Sequence, residues 1–256
     1  HDRPRGRRLK RALASAINAR PHELGGAFAA FATAFTMFSA YAILRPIRET
    51  MGITSGLQTL PALFWGTFAG MLLVQPVYGW LTSRYRRSAF LPWVYLFFVL
   101  NILGFYAWFN LQEDHTWIAR AYFIWVSVFV LFVVAVFWSL MADVFSREQA
   151  GRLFGFVAAG LSTGGLFGPF LGARLAQPIG TINLLLVSAA LLTVSLGCMM
   201  LVLRWHRRHG ENTAAGEDRD ARLGGTALAA FRQVARSPYL ALIALFFVRG
   251  LAGFVA

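Results

Sequence analysis

Apolar residues gather in six long runs, near 26–45, 60–82, 89–111, 117–142, 153–175 and 181–203, with short polar stretches between them. Each run matches the roughly 20 helical residues needed to cross an apolar core of about 30 Å. A seventh run begins after Pro238 and is cut off at Ala256. The pattern therefore predicts an all-α membrane protein in which each run is a spanning helix. The hairpin from Phe132 to Ala173 organises the rest: an apolar run ending in Phe137-Trp138-Ser139, a charged turn with Asp143, Arg147, Glu148 and Arg152, then an apolar run threaded with glycine. In that last run Gly160, Gly164, Gly168 and Gly172 recur every four residues, so four bare backbone patches share one helix face. A neighbouring helix is expected to approach that face at backbone distance.

The polar stretches set the orientation. Arg3, Arg5, Arg7, Arg8, Lys10, Arg11 and Arg20 precede the first run, Arg84, Arg86 and Arg87 follow the second, Arg147 and Arg152 follow the fourth, and a further basic group follows the sixth. The alternate connections hold only Arg45, Arg48, Arg120 and Arg174. Such a bias predicts a cytoplasmic amino terminus. Trp80, Trp93, Trp108, Trp117 and Trp205 fall near run ends, where interfacial anchors belong. Residues 1–23 are read as a basic cytoplasmic segment containing a short surface helix, and 24–204 as the six-helix bundle. A cytoplasmic linker with an amphipathic helix over 205–237 and a truncated seventh span over 238–256 complete the layout, which is that of a fragment of a longer chain. The basic leader runs into a full-length span without a small-residue cleavage site, so the first helix is expected to be retained.

Composition agrees with this reading. With 57% hydrophobic and 14% charged residues and a mean hydropathy of +0.57, the chain is too apolar for a soluble domain of its length. The net charge of +13 does not describe a nucleic-acid binder, because the arginines lie between apolar runs rather than on one soluble face. The single Cys198 sits within a run and leaves no disulfide or zinc framework, so its expected role is packing.

Candidate chemistry concentrates in three places. Tyr41-Ala42-Ile43-Leu44-Arg45-Pro46-Ile47-Arg48-Glu49 stands at the outer end of the first run. There Thr33, Met37, Tyr41 and Arg45 follow i, i+4 spacing, and Arg48 or Glu49 extends that face if the helix passes Pro46. Two arginines and one glutamate make a net positive site for phosphate or carboxylate, or else an interfacial pair with an internal Arg45–Glu49 bridge. After the second run, Gly79-Trp80-Leu81-Thr82-Ser83-Arg84-Tyr85-Arg86-Arg87 combines a close-approach glycine with arginines suited to a cytoplasmic gate, with Asp143 as a partner for Arg84 or Arg87. In the fifth run Pro169 adds a bend beside Gly164, Gly168 and Gly172. Arg249, deep in the seventh run, is a costly membrane charge and so a binding candidate. Asn101, Gln75 and Thr193 are expected to hydrogen-bond between helices. Metal-ligand spacings and Gly-rich phosphate loops are lacking and all five histidines lie in tails or connections, so neither an enzyme nor a cofactor is expected.

Six spans, a long linker and further spans is the layout of the major facilitator superfamily, which has two six-helix halves. The loop Gly79 to Arg87 resembles its signature between helices two and three, with Ser83 in place of the usual aspartate and Arg86 in place of glycine. Gly164-x-x-x-Gly168-Pro169-x-x-Gly172 resembles the fifth-helix motif of its antiporters, with Ala173 at the last position. Tyr41 to Met51 is similar to a segment of the non-mitochondrial ATP/ADP antiporter family, and so is Val133 to Phe156, with Phe137-Trp138 and Glu148-x-x-x-Arg152-Leu153-Phe154. That resemblance implies that Arg45 and Arg48 face phosphate with Glu49 as their partner. Trp125-Val126-Ser127 stands where well-known members carry an acidic residue.

Together these readings predict the amino-terminal half of a secondary transporter in a bacterial inner membrane, moving a small, anionic, nucleotide-like or phosphorylated solute. Its partners are that solute, the bilayer and the carboxy-terminal half of its own chain, not a nucleic-acid polymer. The alternatives are a drug/proton antiporter, suggested by the fifth-run motif, and a non-transporting scaffold or sensor.

Overall fold

A computed structural model describes residues 19–20, 22–84, 87–112 and 115–209. Most of the basic leader, the linker beyond His209 and the seventh run with Arg249 lie outside the described residues. Six helices follow in order: α1 Leu24–Thr54, α2 Leu60–Arg84, α3 Arg87–Leu111, α4 Thr116–Val144, α5 Arg147–Ile179 and α6 Leu184–His209, with one 3₁₀ turn at Leu57–Thr59. All six are long and apolar enough to cross a membrane.

Helix α1 is the axis of the bundle and packs against α4, α5 and α6. Small residues make this possible: Ala27, Ala30, Ala34 and Ala40 are fully buried, so neighbouring backbones come close on several sides. The glycine face of α5 lies on α1 in parallel register. A Cβ added at Gly160 would stand 2.7 Å from the Phe31 carbonyl oxygen, one at Gly168 would stand 2.6 Å from that of Ser39, and one at Gly164 would collide with that of Phe35. Both partners step by four residues, so the i±4 rows of the two helices run together. Gly172 is different, since a Cβ there would meet Ile43 only at an ordinary 3.9 Å. Three of the four glycines therefore make the intimate contact.

The other partners of α1, helices α4 and α6, both run antiparallel to it, as even-numbered crossings require. Helix α6 runs antiparallel to α1, with the Ser188 hydroxyl donating to the Ala40 carbonyl at 2.9 Å and that of Ser195 to the Thr33 carbonyl at 3.0 Å. Ser39 on α1 donates to the Gly164 carbonyl at 3.3 Å. These serines, rather than the polar residues expected to do so, join the helices. Asn101 and Thr193 instead bond Phe97 and Ala189, one turn back on their own helices, which satisfies a side chain locally and needs no partner. Gln75 is exposed.

Between α3 and α4 the core is aromatic. Trp125 stacks on Phe129 with centroids 5.2 Å apart, and Phe98 meets Phe129 at 4.9 Å in an edge contact. Trp93 and Trp117 are exposed, as interfacial anchors should be. Trp205 departs from that pattern. Its ring lies so close to Gly26 that a Cβ there would come within 2.6 Å of it, and its indole N–H donates to the His22 carbonyl at 3.1 Å. It wedges the end of α6 against the start of α1.

Candidate functional site

Helix α1 continues unbroken through Pro46 and reaches Thr54. Proline leaves the Ala42 carbonyl without its usual helical donor, yet the helix holds because its far end is packed against α4. Its 31 residues extend about 46 Å, well beyond an apolar core of about 30 Å. Arg45, Arg48 and Glu49 therefore stand where α1 leaves the apolar slab.

Rows of i, i+4 residues slant across a helix, and the row from Thr33 to Arg45 shows the consequence. Thr33 and Met37 are buried in the core, Tyr41 is half-buried against Phe38 at 5.4 Å, and Arg45 is exposed. Only the last two open from the core. Arg48, one turn on, is held from all sides. Its Nε donates to the Ser127 hydroxyl at 2.8 Å and to the Phe123 carbonyl at 3.2 Å, while its guanidinium lies 3.9 Å above the Phe123 ring. Its outer nitrogen reaches the Glu49 carboxylate at 2.8 Å. The side chain is only 15% exposed. Glu49 thus pairs with Arg48, not in the bridge to Arg45 that spacing alone allows. Among the described residues Arg45 forms no ion pair, which leaves one uncompensated cation beside a neutralised pair.

Ser127 and Phe123 were outside the sequence-based site. A serine within an apolar run carries no signal of its own, and its value as an acceptor appears only when α4 is laid antiparallel to α1. Tyr122, one residue from Phe123, also reaches α1, its hydroxyl donating to the Leu44 carbonyl at 3.4 Å.

Helices α2 and α4 run in parallel, with Gly66 facing Ile124 and Gly70 facing Val128, away from which both continue to the opposite end of the bundle. Arg84, the last residue of α2, and Asp143, one from the end of α4, consequently finish at the same end, and both are exposed. Gly79 lies in the last part of α2, and Arg87 opens α3.

The same end holds a second polar group that sequence reasoning did not assemble. Glu23, just ahead of α1, is buried to 1% exposure. It accepts from both terminal nitrogens of Arg152, at 3.2 and 3.0 Å, from Gln149 at 3.2 Å and from the Arg20 backbone N–H at 2.8 Å. Burial pushes this carboxyl up, but the bonds from Arg20, Arg152 and Gln149 outweigh it and hold its pKa below the ordinary value. Glu148 bridges Arg20 at 2.9 Å. Ser146 caps α5 in a reciprocal box with Gln149, so the turn that presents Gln149 and Arg152 is itself fixed. The bundle is therefore pinned at one end by Glu23 and at the other by Arg48.

Parallel and antiparallel crossings in strict alternation, a glycine-lined helix contact and charges confined to the two ends define a multi-pass helical membrane protein. The chain belongs to the Major Facilitator Superfamily, which it matches over residues 12–256. It is also similar to ADP,ATP carrier protein 2 of Chlamydia pneumoniae, at 26% identity over 52% of this chain and 30% of that protein. ADP,ATP carrier protein 2 of Chlamydia trachomatis serovar D is 24% identical over 54% of this chain and 31% of its own length. The aligned part of the chain thus spans less than a third of these curated relatives. No solved structure matches it.

Proposed function

We propose that this chain is the amino-terminal part of a secondary transporter that carries an anionic, nucleotide-like or phosphorylated solute across a bacterial inner membrane by alternating access. The observation that carries the reading is Arg45. It is an exposed guanidinium towards the outer end of the central helix, one turn beyond Tyr41, with no ion pair among the described residues. Its neighbour Arg48 is already neutralised by Glu49. A bare arginine at the outer end runs against the positive-inside tendency, and a planar fork of donors suits phosphate or carboxylate. The two chlamydial relatives are named as carriers of ADP and ATP, which agrees with this chemistry. In this reading Arg45 touches the solute, while Arg48 and Glu49 hold α1 against α4 and set the local field. Arg84, Arg87 and Asp143 belong to the cytoplasmic gate, and Arg249 in the seventh span adds a further contact. The glycine face of α5 is occupied by α1 and gives a drug/proton antiporter no separate support.

The test is uptake of labelled nucleotide, sugar phosphate and organic anion by vesicles holding the full-length parent. Arg45→Ala is expected to weaken solute binding by about 1.5–3 kcal/mol, the scale of a charge-assisted hydrogen bond, with only partial rescue by lysine. If Arg45→Ala and Arg48→Ala are both folded and neither alters affinity for any transported solute, the proposal fails. Binding without exchange would identify a sensor instead.

A further inference from the structure

Helix α6 packs along α1, and its last turns lie beside the first turns of α1 through Trp205 and the His22 carbonyl. Between α1 and α6 lies an open groove of about 640 Å³ floored by Gly25, Phe28, Ala29 and Ala32 of α1 and walled by Leu201 and Cys198 of α6. At its mouth stand Arg204 and Arg208, four residues apart on one face of α6. Both are exposed, and among the described residues neither pairs with an acid. The acids nearest in the fold are already engaged, Glu23 by Arg152 and Glu148 by Arg20. From Cys198 to Arg208 the groove follows about 15 Å of helix, half the thickness of an apolar core.

We propose that this groove is a binding site for one anionic phospholipid, with an acyl chain laid along the small-residue floor and the phosphate held by Arg204 and Arg208. The floor is apolar and, apart from Phe28, made of small residues, so a chain of methylenes lies along Gly25, Ala29 and Ala32 with the Phe28 ring beside it. The charged rim sits at the end of two membrane-spanning helices, where a headgroup lies. Trp205, between the two arginines, is fixed by its bond to the His22 carbonyl and keeps the α1–α6 wall rigid. A fixed apolar trough with two cations at its mouth differs from ordinary annular contact, because the chain and the headgroup are held together. The inference does not depend on the identity of the transported solute.

The experiment uses the full-length parent, purified and stripped of lipid, titrated with phosphatidylglycerol or with phosphatidylcholine of the same acyl chains. Bound lipid is read by native mass spectrometry. Wild type is expected to retain one phosphatidylglycerol in preference to phosphatidylcholine, and Arg204→Gln with Arg208→Gln to weaken that retention about thirtyfold. Ala29→Leu and Ala32→Leu, which raise the floor but keep both charges, should lose the lipid as well. Glycerol 3-phosphate should not displace it. Equal retention of the two lipids, full retention by the double glutamine variant, or displacement by glycerol 3-phosphate overturns the proposal. So does lipid binding that appears only after Glu211, Glu217, Asp218 and Asp220 are neutralised, since the linker would then be the occupant.

Discussion

Arg152 grips both carboxylate oxygens of Glu23, with 3.2 and 3.0 Å separations, although the two residues are 129 positions apart. The pair ties the second turn of α5 to the residue before α1, and Gln149 and Arg20 complete the shell. Removing one member of a buried, hydrogen-bonded ion pair strands the other, at a cost of about 3–5 kcal/mol. Arg152→Ala is therefore expected to lower thermal stability sharply, while Glu148→Ala, at an exposed ion pair, should cost under about 1 kcal/mol. Thermal melting of the purified parent distinguishes the two.

The same pair sets an acid limit. The folded pKa of Glu23 is lowered, so its contribution is fully present above the ordinary carboxylate value of 4.5 and is lost as pH falls through the lowered value. Wild type should lose stability below pH 4.5, and Glu23→Gln should flatten that part of the profile while being less stable at neutral pH. A wild-type profile that Glu23→Gln leaves unchanged in shape would contradict this.

On the glycine face the effects should follow the local distances. Gly164→Ala points a methyl into the Phe35 carbonyl and must force α1 and α5 apart, at a cost of about 1–3 kcal/mol. Gly172→Ala meets only an ordinary contact and should be mild. Leu166→Ala, at a residue 77% exposed, should also be mild. Equal effects of the three substitutions on folded yield would show that the contact is not close-packed.

At the other end, Arg48 and Ser127 form one unit. A double-mutant cycle of Arg48→Gln and Ser127→Ala is expected to give a coupling of about 0.5–3 kcal/mol in melting free energy, as for residues in direct contact. Additive effects would mean that Arg48 is held by Phe123 and Glu49 alone.

Orientation has its own test. In a background with Cys198→Ser, a cysteine at Arg147 should react with impermeant reagent only from the cytoplasmic side, and one at Gln112 only from outside. Both positions are exposed, so accessibility does not confound the result. The reverse pattern would invert the bundle.

The sequence by itself determined the place and order of the six described spans, because a helix that crosses a bilayer needs a long apolar run and little else, but not that α1 goes on through Pro46 to Thr54. It also determined the glycine face of α5, since a four-residue repeat of the smallest side chain has one geometric meaning on a helix. The tertiary structure decided which helix fills that face, and showed that Gly172 stands outside the tight contact. It also decided the pairing at each end. Spacing left Glu49 free to bridge Arg45 or serve both arginines, whereas the antiparallel approach of α4 draws Arg48 onto Phe123 and Ser127 and gives Glu49 to it. Glu23 and Arg152 could not be joined from sequence because their contact depends on the parallel register of α1 with α5. A run of apolar residues fixes an element locally, but an ion pair between elements exists only once their register is set by packing elsewhere.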